Sequence, residues 1–228
     1  MVAGPVNAVH PHSRGIGVTS QRARDRLVTT LQRMGIHDEN VLAAINRVPR
    51  HEFIDEAMSY EAYDNNALPI GHGQTISQPY VVARMTEVLL DEFQPQSVLE
   101  IGTGCGYQTA VLAELIPTVY TVERIKALHE GARKRLRRMG YHRVRFKFAD
   151  GSWGWEERRP YDAIIVTAAA ETVPKSLLEQ LAKGGRMVIP VGASNGQELL
   201  LIKRTAAGYE QSILEGVAFV PLLSETRG

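Results

Sequence analysis

The decapeptide Val98-Leu99-Glu100-Ile101-Gly102-Thr103-Gly104-Cys105-Gly106-Tyr107 decides how the chain is read. An apolar strand runs into alternating glycines, and a helix opens behind them. Glycines allow a tight turn and let a ligand come close to the backbone. C-terminal to this point, strand candidates recur at 119–123, 144–149, 162–167 and 186–191, after a first strand at 97–101. Helical segments at 107–115, 125–139 and 174–181 lie between them. Strands separated by helices of this length predict an α/β fold with a doubly wound, mostly parallel sheet. After Val191 the helices stop. Segments 198–204 and 211–219 read as two strands around Gly208, an antiparallel finish at one sheet edge.

N-terminal to the decapeptide, Pro79 suits the first turn of a helix whose apolar face is Val82, Met85, Leu89 and Leu90. Residues 63–78 break the helical pattern, and the stretch 67–78, with its glycines, proline and hydroxyls, reads as an ordered loop anchored by Leu68, Ile70 and Ile76. Thr19 or Ser20 caps a helix carrying Leu27, Leu31 and Met34; Asp38 caps a second with Val41, Leu42 and Ile45; a short helix follows near 52–58. Residues 1–18 read as a flexible tail, in which His10 and His12 have no further metal ligand at helical or strand spacing. The expected organisation is therefore a tail at 1–18 and one domain at 19–228. Within the domain, 19–78 is a helical and loop region, 79–192 the sheet core and 193–228 the C-terminal strands.

Composition narrows the function classes. Among 228 residues, 26 Lys and Arg stand against 25 Asp and Glu, a formal charge of +1, with 44% hydrophobic residues. This is ordinary globular composition, and it argues against a protein held to nucleic acid by global charge. No apolar run approaches the ~20 residues that span a bilayer, and no signal-peptide core is visible. The single Cys105 cannot form an intrachain disulfide, which fits a reducing, cytoplasmic location. No obligate partner and no membrane contact are expected.

Three loops at successive strand ends form one expected cleft. Besides the glycine-rich loop, Glu123 ends the second strand, where a carboxylate can accept from both ribose hydroxyls of a nucleoside. Asp150-Gly151 follows the third strand, where a side-chain oxygen can meet an adenine amino group. A dinucleotide site prefers Gly-x-Gly-x-x-Gly facing a pyrophosphate. Here the spacing is Gly-x-Gly-x-Gly, and Glu100 places a carboxylate that repels a pyrophosphate but suits the ammonium of S-adenosylmethionine.

Methyl transfer from a sulfonium requires nucleophile, methyl carbon and sulfur in line. An adenine amino acceptor calls for a polar-Pro-Pro-aromatic motif after the fourth strand. This chain has Thr167-Ala168-Ala169-Ala170-Glu171 instead. A hydroxyl acceptor needs a base or metal, and no His/Asp pair or metal-ligand cluster sits at these strand ends. A carboxylate needs neither, because its pKa of about 4 leaves it ionised at neutral pH. It needs donors that orient one oxygen, for which Thr75 and Ser77 are suited, and apolar walls such as Leu68 and Ile76.

At this point the chain resembles the protein-L-isoaspartate O-methyltransferases over roughly 27–222. The resemblance is carried by Leu68-Pro69-Ile70-Gly71-His72-Gly73-Gln74-Thr75-Ile76-Ser77-Gln78-Pro79, by 100–107, Val122-Glu123-Arg124, 162–169, and Phe219-Val220-Pro221-Leu222. It implies the fold of the S-adenosylmethionine-dependent methyltransferases. It also implies transfer of methyl to the α-carboxylate of L-isoaspartyl residues in damaged proteins, after which the ester closes to a succinimide. The family's active-site serine matches Ser77, with Thr75 as a second polar contact. Gly102, Thr103, Gly104, Glu123, Asp150 and Gly151 match its cofactor contacts, and no metal is implied. Val191-Gly192 and the stretch near Phe219 are expected to help form the peptide cleft. Cys105, where relatives often carry Ser, and the N-terminal tail are departures.

Basic residues between Arg133 and Lys147 give an alternative, an RNA methyltransferase or RNA-binding module. The apolar stripe Ile125, Leu128, Ala132 and Leu136 instead predicts that most of these cations lie on a solvated helix face. Trp153 and Trp155 are candidates for stacking on adenine or for packing. A hydride-transferring oxidoreductase is a third reading, distinguished by nicotinamide binding.

Overall fold

A computed structural model describes residues 17–193 and 196–228. The expected tail therefore lies outside the described residues, except for Gly17 and Val18, which enter a short 3-10 turn. Helix α1 (Gln21–Arg33) buries Leu27 and Leu31. Helix α2 (Glu39–Arg47) starts where the Asp38 side chain accepts from the Asn40 and Val41 amides, a cap worth about 1 kcal/mol. The short helix expected near 52–58 is instead two 3-10 turns, Arg50–Phe53 and Glu56–Glu61.

Most of the expected loop at 67–78 is a hairpin. Strand β1 (Leu68–Gly71) pairs antiparallel with β2 (Gln74–Ile76), burying Leu68 and Ile76. Its tight turn is possible because Gly71, His72 and Gly73 take φ of 85°, 55° and 70°, a region that glycine enters freely. Helix α3 (Pro79–Leu90) follows directly, with proline at its first position and Val82, Met85 and Leu89 buried.

The main sheet contains β3 (Ser97–Ile101), β4 (Thr118–Glu123), β5 (Arg145–Phe148), β6 (Tyr161–Val166), β7 (Leu181–Ala193), β8 (Gly196–Arg204) and β9 (Tyr209–Val217). Its spatial order is β5-β4-β3-β6-β7-β8-β9. Strands β3 to β7 pair in parallel, and β8 and β9 add antiparallel. Between the parallel strands run α4 (Tyr107–Leu115), α5 (Lys126–Arg138) and α6 (Lys175–Gln180).

Alternation along the strands feeds two cores. Val98, Ala163, Ile165 and Val188 join the N-terminal helices on one face; Leu99, Ile101, Ile164 and Val166 fill the other. Helix α5 buries Leu128, His129, Ala132 and Leu136 and leaves Arg133, Lys134, Arg137 and Arg138 exposed. No helix among the described residues is long and apolar enough to cross a membrane.

Two features of this topology position the site. The winding direction reverses at β3, which has β4 on one side and β6 on the other. In open α/β sheets, ligands bind beyond the carboxyl ends of strands at such a point. In addition, residues 218–228 leave the sheet and run across those strand ends. Pro221 bridges to Ala169 and Arg227 to Ile125.

Candidate active site

Two adjoining pockets open at the carboxyl ends of the parallel strands. The first is lined by Gly102 and Gly104 after β3, Glu123 at the end of β4, Gly151 after β5, and Thr167 after β6. The second is lined by Ser77, Tyr80, Gln197, Glu215 and Phe219, among others. Thr75, Thr167 and Val220 belong to both walls. The hairpin, the sheet and the C-terminal segment thus each give one residue to the partition between them.

The first pocket is shaped by close backbone approach. A Cβ on Gly102 would lie 2.4 Å from Thr167 Oγ1, and one on Gly151 would lie 2.4 Å from Ile101 Cγ2. Thr167 Oγ1 sits 3.0 Å from the Ile101 carbonyl and 2.7 Å from that of Gly102, tying β6 to the glycine loop. Glu123 is 5% exposed and fixes its own neighbourhood. Its Oε2 accepts from the Gly104 amide at 2.8 Å and its Oε1 from the Ile125 amide at 2.9 Å. Each carboxylate oxygen retains a lone pair for a further donor, which is what a vicinal diol requires.

Two predicted cofactor residues are placed differently. The Thr103 hydroxyl lies 2.6 Å from that of Thr121, and Thr103 is buried away from the pocket. Only its backbone remains in the loop, so a contact through its side chain is not what the structure provides. Asp150 lies beside the pocket, not in its wall. Its Oδ1 accepts from the Ser152 amide and hydroxyl, and its Oδ2 accepts from the Glu225 amide at 2.9 Å. Burial pushes this carboxyl up, but the Ser152 hydroxyl, the two amides and Arg124 outweigh it and hold the pKa below the usual value. Asp150 therefore latches the C-terminal segment to the β5 loop, and Gly151 alone of this pair meets the pocket.

Glu100 is also not a wall residue. It is fully buried beneath the loop, with Oε2 accepting from Thr109 at 2.5 Å and Thr121 at 2.6 Å. Its Oε1 has no partner among the described residues. Burial pushes the carboxyl up to about 8; the two hydroxyls oppose the rise and nearby Glu123 adds to it. The cradle of Gly102, Gly104 and Gly151 with the accepting oxygens of Glu123 fits the nucleoside of S-adenosylmethionine.

In the second pocket, the hydroxyls of Ser77 and Thr75 make no hydrogen bond to described residues. Ser77 does not cap α3: its N-cap is Gln78, which itself makes no side-chain cap bond. Both hydroxyls are available to a ligand. Phe219 is held by a reciprocal pair, its amide donating to Gln197 Oε1 at 2.6 Å and its carbonyl accepting from Gln197 Nε2 at 3.1 Å. Val191 and Gly192 do not line this pocket. Gln197, opposite Gly192 on β8, and the adjacent Gly196 take that place.

Trp153 is 70% exposed, and Trp155 packs edge-on against Tyr120 at 5.5 Å. Neither lines the first pocket, so adenine stacking on them is not supported. Cys105 is buried beside the loop, its carbonyl accepting from Arg135 at 2.9 Å. Sequence reasoning missed Thr167 and residues 220–223 as pocket walls. The signals were the motifs 162–169 and Phe219-Val220-Pro221-Leu222, to which no cofactor role was attached.

Comparison with known proteins identifies the family and the fold. The family model described as protein-L-isoaspartate(D-aspartate) O-methyltransferase matches residues 21–227. A protein-L-isoaspartate O-methyltransferase of Halorhodospira halophila is 56% identical over 212 residues, covering 93% of this chain and 96% of that protein. One from Xanthomonas oryzae pv. oryzae is 58% identical over 217 residues, covering 95% and 96%. A solved protein-L-isoaspartate O-methyltransferase superposes with a TM-score of 0.78 at 31% identity, over 87% of this chain and 65% of that one. A beta-aspartate methyltransferase structure from Plasmodium falciparum, in complex with S-adenosyl-L-homocysteine, gives 0.78 at 27% identity, over 88% and 98%. The chain belongs to the protein-L-isoaspartate(D-aspartate) O-methyltransferase family.

Proposed function

We propose that this chain is a protein-repair enzyme that methylates the α-carboxylate of L-isoaspartyl residues, with the β3–β4–β6 pocket for S-adenosylmethionine and the Ser77 pocket for the acceptor. The observation that carries the reading is the shared wall of Thr75, Thr167 and Val220, which puts two binding spaces in contact at one partition. When bound, S-adenosylmethionine supplies a sulfonium methyl that passes to an acceptor oxygen as the carbon–sulfur bond breaks, leaving S-adenosylhomocysteine.

The chain's own residues then have separable tasks. Glu123 accepts the ribose hydroxyls while holding the glycine loop through the Gly104 amide. Glu100, buried beneath the glycine loop, ties β3 to α4 and β4 through the Thr109 and Thr121 hydroxyls. Ser77 and Thr75 donate to the acceptor carboxylate and aim one oxygen across the partition. Val81, Val217 and Phe219 make that pocket partly apolar, which strips water from the anion. No residue needs to remove a proton, because the acceptor is already ionised.

The test is transfer of labelled methyl to two synthetic peptides that differ only in carrying isoaspartate or aspartate. Esterification of the isoaspartyl peptide alone is expected. Equal labelling of both, or labelling of RNA in their place, would overturn the assignment.

A further inference from the structure

The acceptor pocket is unusual in its charge. It receives a carboxylate, yet none of its described lining residues is Lys, Arg or His. The one ionisable carboxylate on its wall is Glu215, on β9. Glu215 Oε1 accepts from Arg84 Nε at 3.2 Å and lies 3.5 Å from the Tyr80 hydroxyl. Arg84 does not neutralise it alone, because the same guanidinium bonds Glu87 Oε2 at 3.2 Å through Nη1. One cation is thus shared by two carboxylates. Glu87 spends its other oxygen on the amides of His37 and Asp38. Glu215 Oε2 makes no hydrogen bond to any described residue, and the side chain is 30% exposed.

An acceptor residue in a protein arrives with chain on both sides. The target carboxylate is held by neutral hydroxyls, so the wall's uncompensated negative charge acts on whatever flanks it. We propose that Glu215 is a specificity-determining residue: it favours isoaspartyl segments with a cationic flanking side chain and disfavours those with an acidic one. Oε2 accepts from the cation at the pocket rim. A second carboxylate there meets like charge with no positive residue in the pocket to relieve it. This inference rests on the proposed function above, because it assumes that an isoaspartyl peptide fills this pocket.

The experiment uses isoaspartyl peptides identical except for Lys, Gln or Glu at one flanking position, on each side in turn. The quantity read is the ratio of kcat/KM for the Lys peptide to that for the Glu peptide. Because the ratio is taken within one protein, general weakening of a variant does not move it. A rim charge pair is expected to give a ratio of about fivefold on one side at low salt, shrinking in about 0.5 M NaCl. Glu215→Gln is expected to bring it close to one. A wild-type ratio near one on both sides, or a ratio that Glu215→Gln leaves unchanged, would overturn the inference while leaving the repair activity standing. Failure to esterify any of the peptides would overturn the proposed function and this inference with it.

Discussion

Gly104 donates its amide to Glu123 Oε2 at 2.8 Å, so the carboxylate that ends β4 holds the loop that ends β3. One side chain thus builds the cofactor pocket and lines it. Removing it costs both the ligand contacts and the loop's anchor. Glu123→Ala is expected to weaken S-adenosylmethionine binding by roughly tenfold to a hundredfold, as expected for loss of charge-assisted hydrogen bonds. Calorimetric titration measures it; an unchanged affinity would remove Glu123 from the site.

Gly102 has a φ of 96°, and a Cβ there would meet Thr167 Oγ1 at 2.4 Å. Gly102→Ala should therefore destabilise the fold by more than ~1 kcal/mol. Adding Thr167→Ala should recover part of the loss, because the colliding oxygen is gone while the backbone strain stays. Urea unfolding of the two single variants and the double variant checks this. Strict additivity would show that the collision is not the cause.

Glu100 ionises near the ordinary glutamate value of 4.5 when unfolded but near 8 in the fold, because burial opposes its charge. Between those values the folded state binds more protons than the unfolded state. Its contribution to stability is therefore complete below about pH 4.5 and is lost as pH rises through about 8. Glu100→Gln is expected to remove that slope and raise the thermal midpoint above pH 7, measured by scanning across the range. An unaltered slope would mean that another group carries it.

Asp150 bonds the Glu225 amide, and Arg124 Nε donates to the Glu225 carbonyl at 2.8 Å. These bonds hold the segment whose residues Val220 to Leu223 wall the cofactor pocket. Asp150→Ala should free this segment, raising its susceptibility to carboxypeptidase and weakening cofactor affinity. Digestion at the wild-type rate would argue that the bridges at Pro221 and Arg227 suffice without the latch.

Much of this fold was legible in the sequence. Ser97–Ile101 and Tyr107–Leu115 appear at the expected bounds, because a glycine loop between an apolar strand and an apolar helix leaves little freedom in register. The β1–β2 hairpin was not legible. Its turn depends on His72 joining two glycines at positive φ, which few side chains adopt. The start of β7 at Leu181 was missed because that end pairs with Tyr161 across a register shift. In the site, β4 ends at Glu123 as expected, whereas β5 and β6 end at Phe148 and Val166, just before the loops that carry Asp150 and Thr167. Asp150 turns to Ser152 and to the Glu225 amide, Thr103 turns to Thr121, and Thr167 reaches β3; all but the Ser152 contact join segments far apart in the chain. The wall at Val220 to Leu223 depends on isolated bridges to Ala169 and Ile125, for which no periodic pattern exists to be read.

The most direct measurement compares Ser77→Ala with wild type in two assays on the same preparation: calorimetric affinity for S-adenosylmethionine, and methyl transfer to an isoaspartyl peptide. Ser77 lines only the acceptor pocket. Transfer should fall by about a hundredfold or more, in the range found when one positioned donor is lost, while cofactor affinity stays within about twofold of wild type. Wild-type transfer in the variant, or a cofactor affinity that falls as far as the rate, would contradict the division of the site into two pockets meeting at Thr75.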